Sequence, residues 1–285
     1  MERTLSRNES KVVLDLEWRD RKTVTLDEIR TALACSENYA RFMAHQLAKK
    51  GWLERLRPGL YQFVPAARGR ARVGDTNPLA AGAALVSPYF FSFGTACTHH
   101  GLTEQVFPEV FLVTRTRRKP RLVRGKRYVF VPVAEERFFG FHEVTVLGAT
   151  VQMATVERAL VDALDRPRYA GGIGEVSRIV ARASGRLSWD ALLDCLRRFG
   201  ESALVQRLGY LLSVNRVQVP EGTLDTLRGL MRPASKIPIG PRPKWGSCGP
   251  LSRPWNVIQN VPREVLVSGD QRPTRRVTLG QRAHS

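Results

Sequence analysis

Polar and cationic side chains recur at steps of three and four residues in one short stretch, and their types suit the reading of a nucleic acid. If the stretch is helical, these side chains share one face. An asparagine amide such as that of Asn38 matches the adenine edge in the major groove of DNA, and a guanidinium such as that of Arg41 matches guanine. The stretch therefore predicts a DNA-reading helix, with these contact residues: Ser36, Asn38, Arg41, His45, Lys49 and Lys50.

The neighbouring residues predict how this helix is held, which matters because a charged helix face alone is more often simply solvated. Thr25 followed by Glu28 fits a capping box at the start of a first helix. Ser36 can cap a second helix after a short turn. The apolar side of the second helix would pack on the first, and it consists of Ala40, Met43, Ala44 and Leu47.

A basic hairpin is predicted directly after the second helix. Gly51 follows two lysines, as in a glycine-terminated helix with cations in its last turn. Two strand-like runs, Trp52–Leu56 and Leu60–Val64, are joined by a Pro-Gly turn. Arg55 and Arg57 flank that turn, where a wing would meet phosphates. The order of these elements predicts a winged helix-turn-helix over residues 1–70.

The charge of the whole chain favours a polyanionic partner. The 285 residues carry 45 Lys+Arg against 26 Asp+Glu, a net charge of +19 with a pI of about 10.8. Such a balance favours nucleic acid, because phosphates release counterions when cations bind them. A membrane surface or an acidic protein would also suit it.

Cysteine spacing and hydropathy bear on the compartment. The four cysteines are too far apart along the chain for a C-x-x-C pair. Scattered thiols fit a reducing cytoplasm. The N-terminal residues lack an apolar signal core, and no run approaches the ~20 apolar residues that span a bilayer. We expect a soluble cytoplasmic protein with no membrane partner.

The rest of the chain, residues 71–285, predicts a larger mixed domain after a Gly/Ala/Arg-rich linker at 65–76. A buried helix is expected at 89–100. Strands are expected at 109–116 and 126–134, a hairpin at 142–153, and helices at 155–164, 173–183, 188–199, 201–214 and 222–231. From about 232 to 285 the chain is rich in proline and arginine and predicts an extended arm with one or two strands, one of them over 255–266. The fold class is therefore α+β.

A dense basic loop joins the first two strands of this domain. It has three interpretations: it tracks the DNA backbone, it holds an acidic toxin surface, or it is an exposed connection with no partner. Guanidinium groups suit phosphate because they can bridge two oxygens. The residues assigned to DNA contact here are Arg115, Arg117, Arg118, Lys119 and Arg121.

No combination of residues predicts an active site, a cofactor or a metal centre. His99 and His100 have no nearby cysteine or paired acid, so a packed histidine satisfied by backbone is the favoured interpretation. The GGIG run at 171–174 lacks the spacing of a phosphate loop and fits the start of a helix. Asp162 and Asp165 are expected to cap or to pair with neighbouring arginines. Neither a G-x-S-x-G motif nor a Gly-Ser followed by paired aspartates occurs, so we expect no enzyme.

Several segments resemble the AbiEi-type antitoxins of type IV toxin–antitoxin systems. They are FSFGTACTHHGLTEQ at 91–105, RFFGFHE at 137–143, TVERAL at 155–160 and DRPRYAGGIGEV at 165–176, together with the basic loop. The resemblance covers roughly residues 20–215. It implies a winged helix-turn-helix followed by an antitoxin domain, repression of the protein's own operon, and a nucleotidyltransferase-like toxin as the product of the second gene.

The expected function is therefore an antitoxin that binds double-stranded operator DNA and represses its own operon. The alternative is a protein-interaction module that neutralises the toxin by direct binding, with DNA binding secondary. A nucleic-acid-processing enzyme is a weaker third interpretation, because no paired acids are in place.

Overall fold

A computed structural model describes residues 4–65, 77–232 and 235–268 of the chain. These residues form two units, which are described one at a time. The first comprises Met1–Phe91 and Pro108–Met153, and the second comprises Ser92–Phe107 and Ala154–Ser285. The expected domain boundary at residues 70–71, nearly all of the expected linker, and the end of the arm beyond residue 268 lie outside the described residues.

Three helices and a small sheet form the N-terminal part of the first unit. The elements in chain order are α1 (Arg7–Trp18), β1 (Thr23–Thr25), α2 (Leu26–Leu33), α3 (Glu37–Lys49), β2 (Leu53–Arg57) and β3 (Leu60–Phe63). Their shared core includes Val12, Leu16, Ile29, Leu47 and Trp52. Burial of these apolar side chains is what holds short helices together, because helices of this length are marginal alone.

The caps predicted from the sequence are present in both helices of the helix-turn-helix. Thr25 and Glu28 form a reciprocal capping box at the start of α2, and the Glu28 carboxylate accepts the Thr25 backbone N–H at 2.7 Å. The Ser36 hydroxyl accepts the Tyr39 backbone N–H at 3.4 Å at the start of α3. Each cap satisfies a backbone donor that the helix itself cannot pair.

The wing is a three-stranded sheet in the order β1–β3–β2. The prediction of a two-stranded wing therefore missed the strand β1. β1 pairs antiparallel with β3, with Val24 opposite Tyr61. Three residues are too few to show a period in the sequence. The added strand is therefore created by tertiary pairing, in which Val24 becomes buried.

A six-stranded mixed sheet forms the remainder of the first unit, in the order β6–β7–β5–β4–β9–β8. Its elements are α4 (Pro78–Ala83), β4 (Tyr89–Phe91), β5 (Glu109–Thr114), β6 (Arg121–Val123), β7 (Lys126–Pro132), β8 (Phe141–Val146) and β9 (Ala149–Ala154). The neighbouring strands β5 and β7 run parallel and carry buried valine and phenylalanine side chains. The Asn77 side chain caps α4 by accepting the Leu79 backbone N–H at 3.0 Å.

The prediction of one buried helix over residues 89–100 is wrong in its first part. Tyr89–Phe91 is strand β4, paired with β5 in register Phe90 to Val113. The helix α5 begins only at Phe93 and ends at His99. Aromatic residues favour strands when a partner edge is available, and a periodicity of apolar residues alone does not reveal that edge. The basic loop likewise contains a short strand, β6, which the sequence did not predict.

Helices dominate the second unit. Besides α5 they are α6 (Val156–Asp165), α7 (Ile173–Ala183), α8 (Trp189–Phe199), α9 (Ser202–Val214), α10 (Thr223–Gly229), α11 (Arg242–Trp245) and α12 (Arg263–Ser268). The helices expected between residues 155 and 231 are confirmed within two residues at each end. Thr155 and Ser188 cap α6 and α8 through their side chains, because each hydroxyl accepts a backbone N–H of the first turn.

The C-terminal arm docks on this unit through a tryptophan. Trp255 is 1% exposed, its indole N–H donates to the Ser213 hydroxyl at 3.0 Å, and a side chain at Gly209 would collide with its ring. The strands β10 (Ile237–Pro238), β11 (Leu251–Ser252) and β12 (Val257–Ile258) form a small sheet in the order β10–β12–β11. The predicted strand over 255–266 is thus mostly wrong, because Pro262 precedes a helix there.

The fold class is α+β, with a winged helix-turn-helix at the N-terminus. No helix in the three described ranges is long and apolar enough to cross a membrane.

Candidate nucleic-acid interface

The helix α3 turns one face into the core and leaves the opposite face outside. Ala40, Ala44 and Leu47 are fully buried, and Met43 is 3% exposed. These positions recur at steps of three and four, so residues halfway around the helix point away from the core. The outer face carries the residues expected to read DNA, and all four are exposed: Asn38, Arg41, His45 and Lys49.

Three of these four side chains are ready to bind a partner. In the described part of the chain, Asn38, His45 and Lys49 make no side-chain hydrogen bond or ion pair. Arg41 pairs with Glu37 one turn earlier, at 2.5 Å, with both side chains more than half exposed. An exposed pair of this kind is worth at most about 1 kcal/mol, so the guanidinium can leave it for a base or a phosphate.

Lys50 and Ser36 have other tasks in the fold. The Lys50 ammonium lies 2.7 Å from the Glu9 carboxylate, and the Glu9 side chain is only 3% exposed. Burial by itself would raise the pKa of Glu9, but hydrogen bonds from Lys50 and from Ser6 outweigh it and the pKa is lowered. The Ser36 hydroxyl caps α3. Both side chains therefore help to hold α3 in place.

Phe42 is a residue of the outer face that the sequence analysis missed. It is 53% exposed, and it follows Asn38 by one helical turn. Its neighbour Tyr39 is 37% exposed, with the two ring centroids 6.1 Å apart, and the Tyr39 hydroxyl accepts a hydrogen bond from the Asn8 amide at 3.0 Å. The same four-residue spacing that identified the polar residues would have found Phe42. An exposed aromatic ring amid polar side chains suits an apolar edge of a base, such as a thymine methyl.

The wing carries an exposed arginine close to its turn. Arg55 is exposed in the middle of β2, and Arg57 ends that strand opposite Leu60. Gly59 has φ of +78°, a left-handed conformation that favours glycine, and its carbonyl accepts the Leu26 backbone N–H at 3.0 Å. The turn is thereby tied to the start of α2, so Arg55 sits on an anchored hairpin.

The basic residues expected to contact DNA from the second domain fall into two groups. Arg115 pairs with Glu135 at 2.7 Å and lies over the Phe138 ring, 4.8 Å from its centroid, so its positive charge is partly neutralised. The others are exposed and, within the described ranges, have no ion-pair partner: Arg117, Arg118, Lys119 and Arg121. They precede and begin β6, and they leave a concentrated positive charge in solvent.

One ion pair connects this basic segment with the wing. Arg124, in the turn between β6 and β7, pairs with Glu54 of β2. Glu54 is adjacent to Arg55 in sequence. The pair therefore brings the β6–β7 turn to the strand that carries Arg55, within the same unit.

The described residues hold no group of three or more His, Cys, Asp or Glu side chains that could bind a metal ion. The His100 ring nitrogen Nε2 hydrogen-bonds the Ala154 carbonyl at 2.7 Å, so this half-buried histidine is satisfied by the backbone, whereas His99 is exposed. Asp162 pairs with the fully buried Arg158 at 2.9 Å, as expected, and also accepts the Ser92 hydroxyl at 2.6 Å. Burial raises the pKa of the Cys195 thiol to about 12, which keeps it protonated and unreactive.

Comparison with known proteins identifies the N-terminal region. Residues 12–64 match a family model described as "Transcriptional regulator, AbiEi antitoxin". This confirms the resemblance stated above for the winged module. A search of curated proteins found no match.

One solved structure is similar in fold over nearly the whole chain. It is the crystal structure of the RV2827C protein from Mycobacterium tuberculosis, with a TM-score of 0.66, 16% sequence identity, and coverage of 90% of this chain and 92% of that one. At this identity the likeness concerns the fold alone.

Proposed function

We propose that this protein is an antitoxin that binds double-stranded operator DNA sequence-specifically and represses its own operon, in the cytoplasm and without catalysis of its own. The observation that carries the proposal is the outer face of α3, where four polar or cationic side chains and Phe42 are exposed above a fully buried apolar face. The match of residues 12–64 to an antitoxin and transcriptional-regulator family supports it.

In this proposal α3 lies in the major groove and its side chains read base edges. Asn38 pairs with an adenine and Arg41 with a guanine, because each side chain can make two hydrogen bonds to that base. Binding requires Arg41 to exchange Glu37 for the guanine edge. His45 and Lys49 lie further along the same face, where they reach the rim of the groove and its phosphates.

The wing and the basic segment supply the salt-dependent part of the affinity. Arg55 and Arg57 contact the backbone on one side of the groove. Arg117, Arg118, Lys119 and Arg121 contact phosphates further along, since the Arg124–Glu54 pair holds their hairpin against β2. Arg115 contributes less, because Glu135 already neutralises it. Ser36 and Lys50 act indirectly by holding α3 in place.

A cognate nucleotidyltransferase-like toxin is the second proposed partner. In the alternative function the protein neutralises the toxin by direct binding, and DNA binding is secondary. The same basic segment favours this alternative if the toxin surface is acidic. The two functions differ in what the segment touches: phosphates in the first, carboxylates of a protein in the second.

The experiment that tests the proposal is a binding titration with the DNA upstream of the protein's own reading frame, against a scrambled duplex of equal length. We expect specific binding tighter than scrambled binding by a factor of at least about 10³, with a footprint over an inverted or direct repeat. Equal affinity for both duplexes would overturn operator recognition. Co-elution with the purified toxin, measured on a sizing column, would then support the alternative.

A further inference from the structure

The outer face of α1 carries four residues in a regular spacing that neither the core nor the DNA-facing helix uses. Arg7, Lys11, Leu14 and Trp18 follow one another at steps of four, three and four. Steps of this kind keep side chains on one stripe of a helix, as in the contact seam of a coiled coil. The opposite side of α1 holds Val12, Val13 and Leu16, which are buried.

The two apolar residues of the stripe are largely exposed, which is unusual for their types. Trp18 is 85% exposed and Leu14 is 60% exposed. Within the described ranges, Arg7 and Lys11 have no ion-pair partner. Lys11 and Leu14 of the stripe line a groove between α1 and α2, together with Val24 and Ile29. Exposed apolar side chains grouped beside a groove are more often part of a contact surface than other exposed residues are.

The stripe is complementary to itself when a second copy runs antiparallel. The midpoint of the pattern lies between Lys11 and Leu14, so a two-fold axis there sets Lys11 opposite Leu14 of the second copy and Arg7 opposite Trp18. The methylene stem of Lys11 can cover Leu14. The Arg7 guanidinium can lie on the face of the Trp18 indole.

Charge favours the same arrangement. The N-terminal half of the stripe is basic, whereas Asp15 and Glu17 flank its C-terminal half. Asp15 also pairs with Arg19 at the end of its own helix, at 2.8 Å. A parallel arrangement would instead bring Arg7 to Arg7 and Lys11 to Lys11, which repel.

We propose that α1 is a homodimer contact, in which two copies of this chain pair their Arg7–Lys11–Leu14–Trp18 stripes antiparallel about a two-fold axis. The contact is isologous, the usual form in soluble homodimers. A single twelve-residue helix buries little area, so the dimer is weak, with a dissociation constant on the order of micromolar. The proposal does not rest on DNA binding, although a two-fold dimer would suit a two-fold operator.

Sedimentation equilibrium of the full chain tests the association. From about 0.1 to about 100 µM, the average mass should rise from near the monomer's 32.0 kDa toward twice that value. Trp18→Ala should weaken association at least about tenfold, while Leu147→Ala, which removes a side chain 78% exposed elsewhere on the surface, should leave it unchanged. A monomer throughout the range would overturn the proposal, and so would equal behaviour of the two variants.

Disulfide trapping tests the antiparallel register. Lys11→Cys and Leu14→Cys chains, each with the exposed Cys248 changed to Ser, are mixed and oxidised. The geometry predicts that the mixed 11–14 disulfide forms faster than either like pair, since disulfides need Cα atoms within about 7 Å. Like pairs forming faster would overturn the antiparallel arrangement. Operator binding measured on the same variants is a separate readout, so loss of dimerisation and loss of DNA recognition can be told apart.

Discussion

The Lys50 ammonium at the end of α3 lies 2.7 Å from the carboxylate of Glu9, which α1 buries to 3% exposure. The pair ties the first helix of the chain to the helix proposed to read DNA. Lys49, one residue earlier, points outward. Two adjacent lysines of the same helix turn therefore have different roles, one in the fold and one in the proposed interface.

Replacing these two lysines should separate stability from binding. Lys50→Ala leaves the Glu9 carboxylate buried without its cation and should lower the free energy of unfolding by about 1–3 kcal/mol. Lys49→Ala should leave stability within about 0.5 kcal/mol and weaken operator binding. Chemical denaturation and a DNA titration on both variants measure the difference. Equal stability of the two would contradict the role given to the Glu9–Lys50 pair.

The winged module should lose stability in acid through Glu9 and Glu28. Burial would raise the pKa of Glu28, yet hydrogen bonds from Thr25 and the charge of Arg21 lower it below 4.5, and the pKa of Glu9 is lowered too. A carboxyl whose folded pKa is depressed contributes stability above its unfolded pKa, and that contribution is lost as pH falls through the folded value. Thermal unfolding between pH 6 and pH 3 should therefore show a fall that begins near pH 4.5.

The matched control for this acid effect is a chain in which neither carboxyl titrates. Glu9→Gln with Glu28→Gln should have a lower melting temperature at pH 6 and a smaller further loss down to pH 3. An acid-dependent loss of the same size in the double variant would assign the effect to other groups.

Arg41→Ala should weaken operator binding by about 1–3 kcal/mol and relax the preference at one base pair. The reason is the loss of a two-bond contact to a guanine edge. Arg197→Ala is a matched control, because Arg197 makes a comparable exposed pair with Asp194 at 2.5 Å on α8. Titrations with every single-base variant of the operator measure the preference. If Arg41→Ala keeps the base preferences of the wild-type chain at every position, Arg41 does not contact a base edge.

Phe42 should make binding sensitive to a thymine methyl group. Replacing the contacted thymine by uracil removes one methyl, worth about 1 kcal/mol if it is buried against the ring. The wild-type chain should therefore bind the uracil operator more weakly than the thymine operator, whereas Phe42→Ala should bind both with equal affinity. The readout is the affinity ratio of thymine and uracil operators for each chain. If both chains show the same ratio, Phe42 does not touch a base.

The basic segment should be visible in the salt dependence of DNA binding. Each phosphate contact adds about 0.9 to the slope of log affinity against log salt, so replacing Arg117, Arg118 and Lys119 together by alanine should lower that slope by up to about three units. Arg115→Ala should change it little, because Glu135 already pairs with Arg115. A slope unaltered by the triple change would favour a protein partner for this segment.

Local sequence determined the helix-turn-helix and most of the second unit's helices. Its signals act over a few residues and do not depend on distant segments of the chain. They are the Thr25–Glu28 capping box, the Ser36 cap and the spacing of Ala40, Met43, Ala44 and Leu47. The same holds for the outward direction of Asn38, Arg41, His45 and Lys49. Once one face of a helix is apolar enough to be buried, the opposite face is settled by the helical repeat.

Tertiary structure decided what depends on partners far along the chain. Tyr89–Phe91 became a strand because β5 offered it an edge, and Thr23–Thr25 became one because β3 did. The roles of Lys49 and Lys50 diverged because only one of them reaches Glu9, forty-one residues away in sequence. Strand pairing and buried ion pairs are contacts between distant segments, and neither composition nor periodicity records which segments meet.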